Sequence, residues 1–218
     1  MPYGPERRQR AQRRKNNPEK TREDILAVAT QEFATKGYSG GRVDAIAEKT
    51  RTTKRMIYYY FGRKEGLYLA VLEKVYAEIR AIESQLCLEN LAPEAAIQRL
   101  VEFTFDYDEA HPDFIRLVSI ENIHRAEHLK KSAAIGPLNG TIIATLGTVL
   151  ENGREEGVFK AEIDPIDLHM LISAFCLFRV SNRHTFGTIF RRSFASPRVR
   201  QRHKKIITEA VLRFLRGD

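Results

Sequence analysis

The 218-residue chain has only two cysteines, Cys87 and Cys176, far apart and with no C-x-x-C pair. Such a pattern gives no basis for a disulfide framework or a zinc knuckle, and it suits a reducing compartment. Long apolar runs are also missing. The most apolar stretch, Met170 to Phe178, is too short to span a bilayer as a helix. The first residues lack the apolar core of a signal peptide. No stretch alternates apolar and polar residues as a strand would, and no unit of 20–50 residues repeats. A phosphate-binding glycine-rich loop and a nucleophile elbow are absent too. These absences lead to the expectation of a soluble, cytoplasmic, all-α protein without membrane association, cofactor or catalytic centre.

What is present is unevenly distributed. Residues 1–75 hold 17 Lys and Arg against 9 Asp and Glu, while residues 76–218 hold 19 of each. The whole net charge of +8 therefore sits in the first third. A basic unit followed by a neutral remainder suggests one part facing a polyanion and another doing something else. Nucleic acid is the commonest such polyanion, with an anionic membrane surface or scaffold as the rival.

Residues 1–16, "MPYGPERRQRAQRRKN", read as a basic arm without apolar periodicity. Asn17 and Pro18 then supply a cap and a first helical residue, and Ile25, Val28, Ala29 and Phe33 mark a buried stripe ending at Gly37. "GGRVDAIAEKT" forms a second, short helix. "RTT" turns the corner, with Thr52 or Thr53 capping a third helix that runs to Phe61. Gly62 breaks it, and a long amphipathic helix begins near Lys64, with Leu67, Val71, Val75, Ile79, Ile82 and Leu86 on its inner face. Further helices are expected from Pro93 to about Ala110, Pro112 to about Arg125, Gly136 to Gly157, Pro165 to about Ser181, and Pro197 to Arg216. The expected architecture has about nine helices. A three-helix head at 17–63 precedes a helical ligand-binding and dimerisation domain at 64–218.

Two short helices joined by a tight turn and supported by a third have the layout of a helix-turn-helix, whose second helix enters the major groove. The residues suit that role. Arg55 can hold guanine O6 and N7 with its fork, and Lys54 can reach a base or a phosphate. Thr53 can cap the helix and bond phosphate, and Met56 can pack on a thymine methyl group. Ile57 and Phe61, four apart, share the buried face. Tyr58, Tyr59 and Tyr60 fan around the remaining surface, each with an apolar body and a polar tip. Lys64 follows at the start of the next helix.

The stretch "YSGGRVDAIAEKTRTTKRMIYYYFGRKEGLYLAVLE" resembles the DNA-binding head of the tetracycline-repressor (TetR/AcrR) family. Thr53, Lys54, Ile57, Tyr58, Tyr59, Phe61, Lys64, Glu65 and Leu67 match that family's pattern, and the likeness covers about residues 21–75. It implies a homodimer on double-stranded operator DNA with two related half-sites, and a C-terminal domain that senses a small molecule. Carried over, Tyr58, Tyr59 and Lys64 fall at positions that contact phosphates, and Lys54, Arg55 and Met56 at base-facing positions. With Arg42 and Thr53 they make up the candidate DNA-binding set. Two departures stand out. Arg51 occupies the place of a turn glycine, and Arg55 that of a smaller residue.

The last two expected helices carry broad apolar faces, Leu168, Leu171, Ile172, Phe175 and Phe178 on one and Ile206, Ile207, Ala210, Val211 and Phe214 on the other. Their two-fold burial in a four-helix bundle would form the dimer. Polar residues interrupting apolar helix faces suggest a pocket for an anionic or aromatic effector: Phe105, Asn122, His124, Phe175, Arg179 and Asn182. His124, Glu127 and His128 also match the inverted zinc-protease motif H-x-x-E-H, which would need both histidines on one helix face. Five residues match easily by chance, so a zinc hydrolase is only a rival reading.

Overall fold

The computed structural model describes residues 17–218. Among them are ten α-helices, two short 3-10 turns and no strand.

Helix α1 (Pro18–Gly40) starts where Asn17 accepts hydrogen bonds from the backbone of Glu19 and Lys20. Its regular part stops at Gly37, whose φ of 70° is left-handed. An L side chain rarely adopts that conformation, so the glycine fixes the kink. A further turn carries the chain into α2 (Val43–Lys49) and then α3 (Lys54–Phe61). Helix α4 (Lys64–Ser84) leaves the head. Its first turn lies so close to the end of α3 that a Cβ on Gly66 would sit 2.1 Å from the Phe61 carbonyl oxygen. Only glycine fits there.

The remaining helices are α5 (Pro93–Ala110), α6 (Pro112–Ile123), α7 (Ile135–Glu155), α8 (Pro165–Ser181), α9 (Arg183–Ile189) and α10 (Pro197–Arg216). Proline at the first or second helical position opens α5, α6, α8 and α10, and Asp164 and Ser196 cap the last two. Helix α9 is the one that the periodicity did not reveal. A second difference lies at α6, which stops at Ile123 rather than near Arg125.

Two apolar cores result. One lies beneath α1–α3, runs on through Leu67–Val75 of α4, and takes in Leu117 of α6 and Ile135 of α7. Ile25, Phe33, Ile57 and Leu67 are fully buried in it, each such side chain contributing about 1.5–3 kcal/mol. The other core joins α5, α7, α8 and α10 around Leu100, Leu146, Leu168 and Val211. Helix α4 leads from the first core towards the second. No helix among the described residues is long and apolar enough to cross a membrane.

Candidate nucleic-acid interface and sensing cavity

The geometry of the head is set at the corner between α2 and α3. Thr52 N–H donates to the Ala47 carbonyl, and Arg51 turns the chain with a φ of 52°. Left-handed backbone at a non-glycine residue costs roughly 1–2 kcal/mol, so the turn is strained where a glycine would relax it. Thr53 then caps α3, its side-chain oxygen accepting from Met56 N–H at 3.1 Å. Capping spends the Thr53 oxygen on the helix, which leaves its hydroxyl proton free.

Ile57 and Phe61 point into the core and Tyr60 packs beside them. The outer face carries Lys54 and Arg55, both exposed, and Tyr59, 80% exposed. Tyr58 is at the margin of exposure, and Met56 is half-buried. Lys54 pairs with Asp44 of α2 at 3.1 Å, an exposed contact of little energetic weight. Arg55 has no carboxylate partner among the described residues.

Arg42 and Lys64 flank this face. The Arg42 side chain is exposed at the start of α2, while its N–H donates to Glu32 Oε1 at 3.2 Å. Lys64 donates to the Ser39 carbonyl oxygen at 3.1 Å and lies 4.9 Å from the Tyr38 ring centre. Six of the eight expected DNA-binding residues thus lie on α3 or at its cap, with Arg42 at the start of α2 and Lys64 at the start of α4. The basic arm, residues 1–16, lies outside the described residues.

Glu32 was not foreseen. Its carboxylate is buried under the head and accepts from Lys36, from Arg42 N–H and from Lys49. Burial works to raise its pKa, but these bonds outweigh it and hold the carboxyl below its ordinary value. The signal was in the sequence. Glu32 lies three residues from Ala29 and seven from Ile25, on the buried face of α1.

The six candidate effector residues do not form one site. Phe175, Arg179 and Asn182 line an open aromatic groove of about 580 Å³ with Phe178, Phe186 and Phe190. Phe105 is buried beneath it, its ring 4.5 Å from the Arg179 guanidinium. That guanidinium is already paired with Glu109, which Arg183 also reaches. A ligand anion there would lie beside Glu109, although the Nε and Nη2 of Arg179 have no hydrogen-bond partner among the described residues. Asn122 is exposed and donates to its own helix at Val118. His124 lies in a separate cleft with Ser119, Val180 and His184.

The metal-binding reading of His124, Glu127 and His128 fails on geometry. The histidines do not share a helix, because α6 ends at Ile123 and both Arg125 and Ala126 adopt left-handed backbone. His128 is buried with its Nδ1 3.3 Å from Glu121, whereas His124 is exposed. Among the described residues no three His, Cys, Asp or Glu side chains converge to hold a metal ion.

A second unforeseen cluster lies in the C-terminal half. Arg80 and Glu83 of α4, Asp108 of α5 and His169 of α8 are all largely buried. Burial pushes Glu83 and Asp108 up to about 7, with Arg80 opposing the rise in each. Burial pushes His169 down to about 4, and Arg80 adds to that shift.

Comparison with known proteins agrees with this architecture. Residues 25–71 match the profile of "Bacterial regulatory proteins, tetR family", and residues 93–211 match "Tetracyclin repressor-like, C-terminal domain". The chain is 34% identical to the HTH-type transcriptional repressor NicS of Pseudomonas putida, over 93% of this chain and 96% of that one. It is 31% identical to the transcriptional repressor SCO4008 of Streptomyces coelicolor, covering 72% and 77% of the two chains. Among solved structures, the putative regulator SCO4942 from Streptomyces coelicolor superposes with a TM-score of 0.65 at 28% identity, covering 88% of this chain and 96% of that one. FadR from Bacillus subtilis, solved with stearoyl-CoA, shares the fold with a TM-score of 0.68 at 15% identity, covering 88% and 98%.

Proposed function

The chain belongs to the TetR family of bacterial DNA-binding transcriptional regulators, and on that premise we propose how it reads DNA and what releases it. Residues 17–63 are the DNA-binding head, and residues 64–218 hold the sensing and dimerisation functions. The protein acts in the cytoplasm as a homodimeric repressor, not as an enzyme, and a small molecule releases it from its operator. The observation that carries the reading of the head is the capped start of α3, from which Lys54 and Arg55 project into solvent beside Tyr59.

In this reading Arg55 contacts guanine through its planar fork. Lys54 exchanges Asp44 for a base edge or a phosphate, and Met56 packs against a thymine methyl group. Thr53, Tyr58, Tyr59, Lys64 and Arg42 hold the flanking phosphates and fix the register. The arm at 1–16 adds a salt-sensitive contribution.

Dimerisation uses the outer faces of α8 and α10. Met170, Leu171 and Phe178 on one, and Ile206 and Phe214 on the other, are exposed in the single chain. Their neighbours Leu168, Ile172, Ile207 and Val211 are buried within it. Pairing these faces across a two-fold axis sets the recognition helices about 34–36 Å apart, to meet successive major grooves. An effector releases DNA by binding more tightly to a state with a different spacing.

Selection of bound genomic fragments tests the reading, using the full chain and its Arg55→Ala variant. The expected result is a site with two related halves. The variant should lose about 1–3 kcal/mol and relax preference at one base pair in each half. Uniform weakening on every sequence would make Arg55 a phosphate contact. An effector that raises operator affinity would invert the induction scheme.

A further inference from the structure

A cleft of about 520 Å³ opens between α4 and α7. Arg80 and Glu83 form part of one wall, and Leu138, Thr141 and Thr145 part of the other. The Arg80 side chain is only 10% exposed, yet its Nε finds no hydrogen-bond acceptor among the described residues. Its Nη1 lies 2.7 Å from Glu83 but is poorly aligned for a hydrogen bond. A buried guanidinium with unused donors is costly unless something accepts from them. Opposite, Thr141 and Thr145 are one turn apart on α7. Neither hydroxyl is bonded back to its own helix, as those of Thr30, Thr104 and Thr148 are.

We infer that this cleft binds a small organic monocarboxylate, its carboxylate on Arg80 and its body between α4 and α7, and that this ligand is the effector. The inference rests on the reading of the C-terminal domain as a sensor. The charge set selects the class. A planar, singly charged carboxylate accepts from the guanidinium fork and matches its one positive charge. A phosphate dianion would add two charges beside Glu83 and Glu89, the two carboxylates that line the cleft, with Arg80 alone to offset them. Burial pushes Glu83 up to about 7 against the pull of Arg80, so that this carboxylate can take up a proton when an anion arrives. Leu138 and Ile142 offer an apolar surface to the ligand body, and the two threonine hydroxyls a polar contact at its far side.

The position also gives the ligand leverage. Arg80 stands on the same helix as Lys64, sixteen residues on, which is about 24 Å of continuous α-helix. A ligand seated between α4 and α7 therefore acts on the helix that leaves the head.

The test uses the full-length protein on its selected operator. Benzoate, phenylacetate, cinnamate and hexanoate are compared with their primary amides and with phenyl phosphate, by thermal shift and by operator release. At least one acid, and not its amide, should raise the melting temperature and release DNA. In an Arg80→Met/Glu83→Gln variant, which removes both charges of the buried pair, that acid should bind at least tenfold more weakly. Thr141→Val/Thr145→Val should weaken it as well while leaving the pair intact. Retained operator binding shows that each variant is folded. The inference is overturned if no acid acts, if acids and amides act alike, if phenyl phosphate binds more tightly, or if the double-charge variant responds as the parent does. Failure of the underlying regulator reading would look different: the unliganded protein would select no operator at all.

Discussion

The Lys64 ammonium donates to the carbonyl oxygen of Ser39 while lying over the ring of Tyr38. The start of α4 is thereby fastened to the last turn of α1. The same charge is a proposed phosphate contact, so its two roles must be separated. Lys64→Met keeps most of the stem and removes the charge. It should lower the melting temperature slightly and reduce the slope of log affinity against log salt by about one unit. A lower melting temperature with an unchanged slope would leave Lys64 with the internal role only.

Arg51 holds left-handed backbone at the corner before α3. Arg51→Gly should stabilise the protein by about 1 kcal/mol, since glycine enters that conformation without the steric cost. Thermal unfolding at matched protein concentration reads the gain. If Arg51 also touches phosphate, the same variant will bind all DNA sequences more weakly by a similar factor.

Glu32 gives a pH dependence with a definite sign. Its folded pKa lies below the ordinary 4.5, so its contribution is present above that value and is lost as pH falls through the folded pKa. Glu32→Gln should therefore be less stable than the parent at neutral pH, by about 1–3 kcal/mol for the broken charged bonds. The gap should close under acid conditions. Denaturant titrations from pH 7 downwards through the acid range follow the gap as it closes. A gap that is constant with pH would mean that packing, not charge, matters at this site.

Phe214 and Ile206 stand on the exposed face of α10 and are both nearly half exposed in the single chain. Phe214→Asp with Ile206→Asp should leave the fold of one chain intact and shift sedimentation from dimer to monomer. Operator affinity should fall with it, because two half-sites are then no longer bound together. A variant that remains dimeric would move the interface away from α10.

Much of the fold was legible because its punctuation is strong. Asn17 with Pro18, Gly37, Gly62 and the helix-opening prolines each mark a boundary that local chemistry alone decides. Helix α9 escaped although Phe186, Ile189 and, just beyond it, Phe190 stand at helical spacing, because it is only seven residues long and follows α8 with a single residue between them. The early end of α6 also has a tertiary cause. Buried Glu121 accepts from the backbone N–H groups of His128 and Leu129, which folds the chain back over the helix end.

The site divides in the same way. Six of the eight proposed DNA-facing residues lie on α3 or at its cap, where spacing determines direction, with Arg42 and Lys64 at the starts of α2 and α4. The six effector candidates read from the sequence are spread over α5, α6, α8 and the residues just past the last two, and no sequence interval says which helix faces meet. Glu83 and Asp108 did carry a local signal, as carboxylates three or four residues from the buried Ile79 and Phe105. Arg80, beside the buried Ile79, has no place in the sequence reading and is largely buried.

Glu32 has a further consequence for how the head moves. Its single carboxylate joins α1 to both ends of α2, through Arg42 N–H at one end and Lys49 at the other. The supporting helix and the first helix of the motif are locked together before DNA is met. Between these two helices little ordering then remains to be done on contact with DNA. A signal from the C-terminal half has correspondingly little purchase on the shape of the head. In the proposed dimer such a signal carries each head as one piece, and the distance between two such pieces is what it sets.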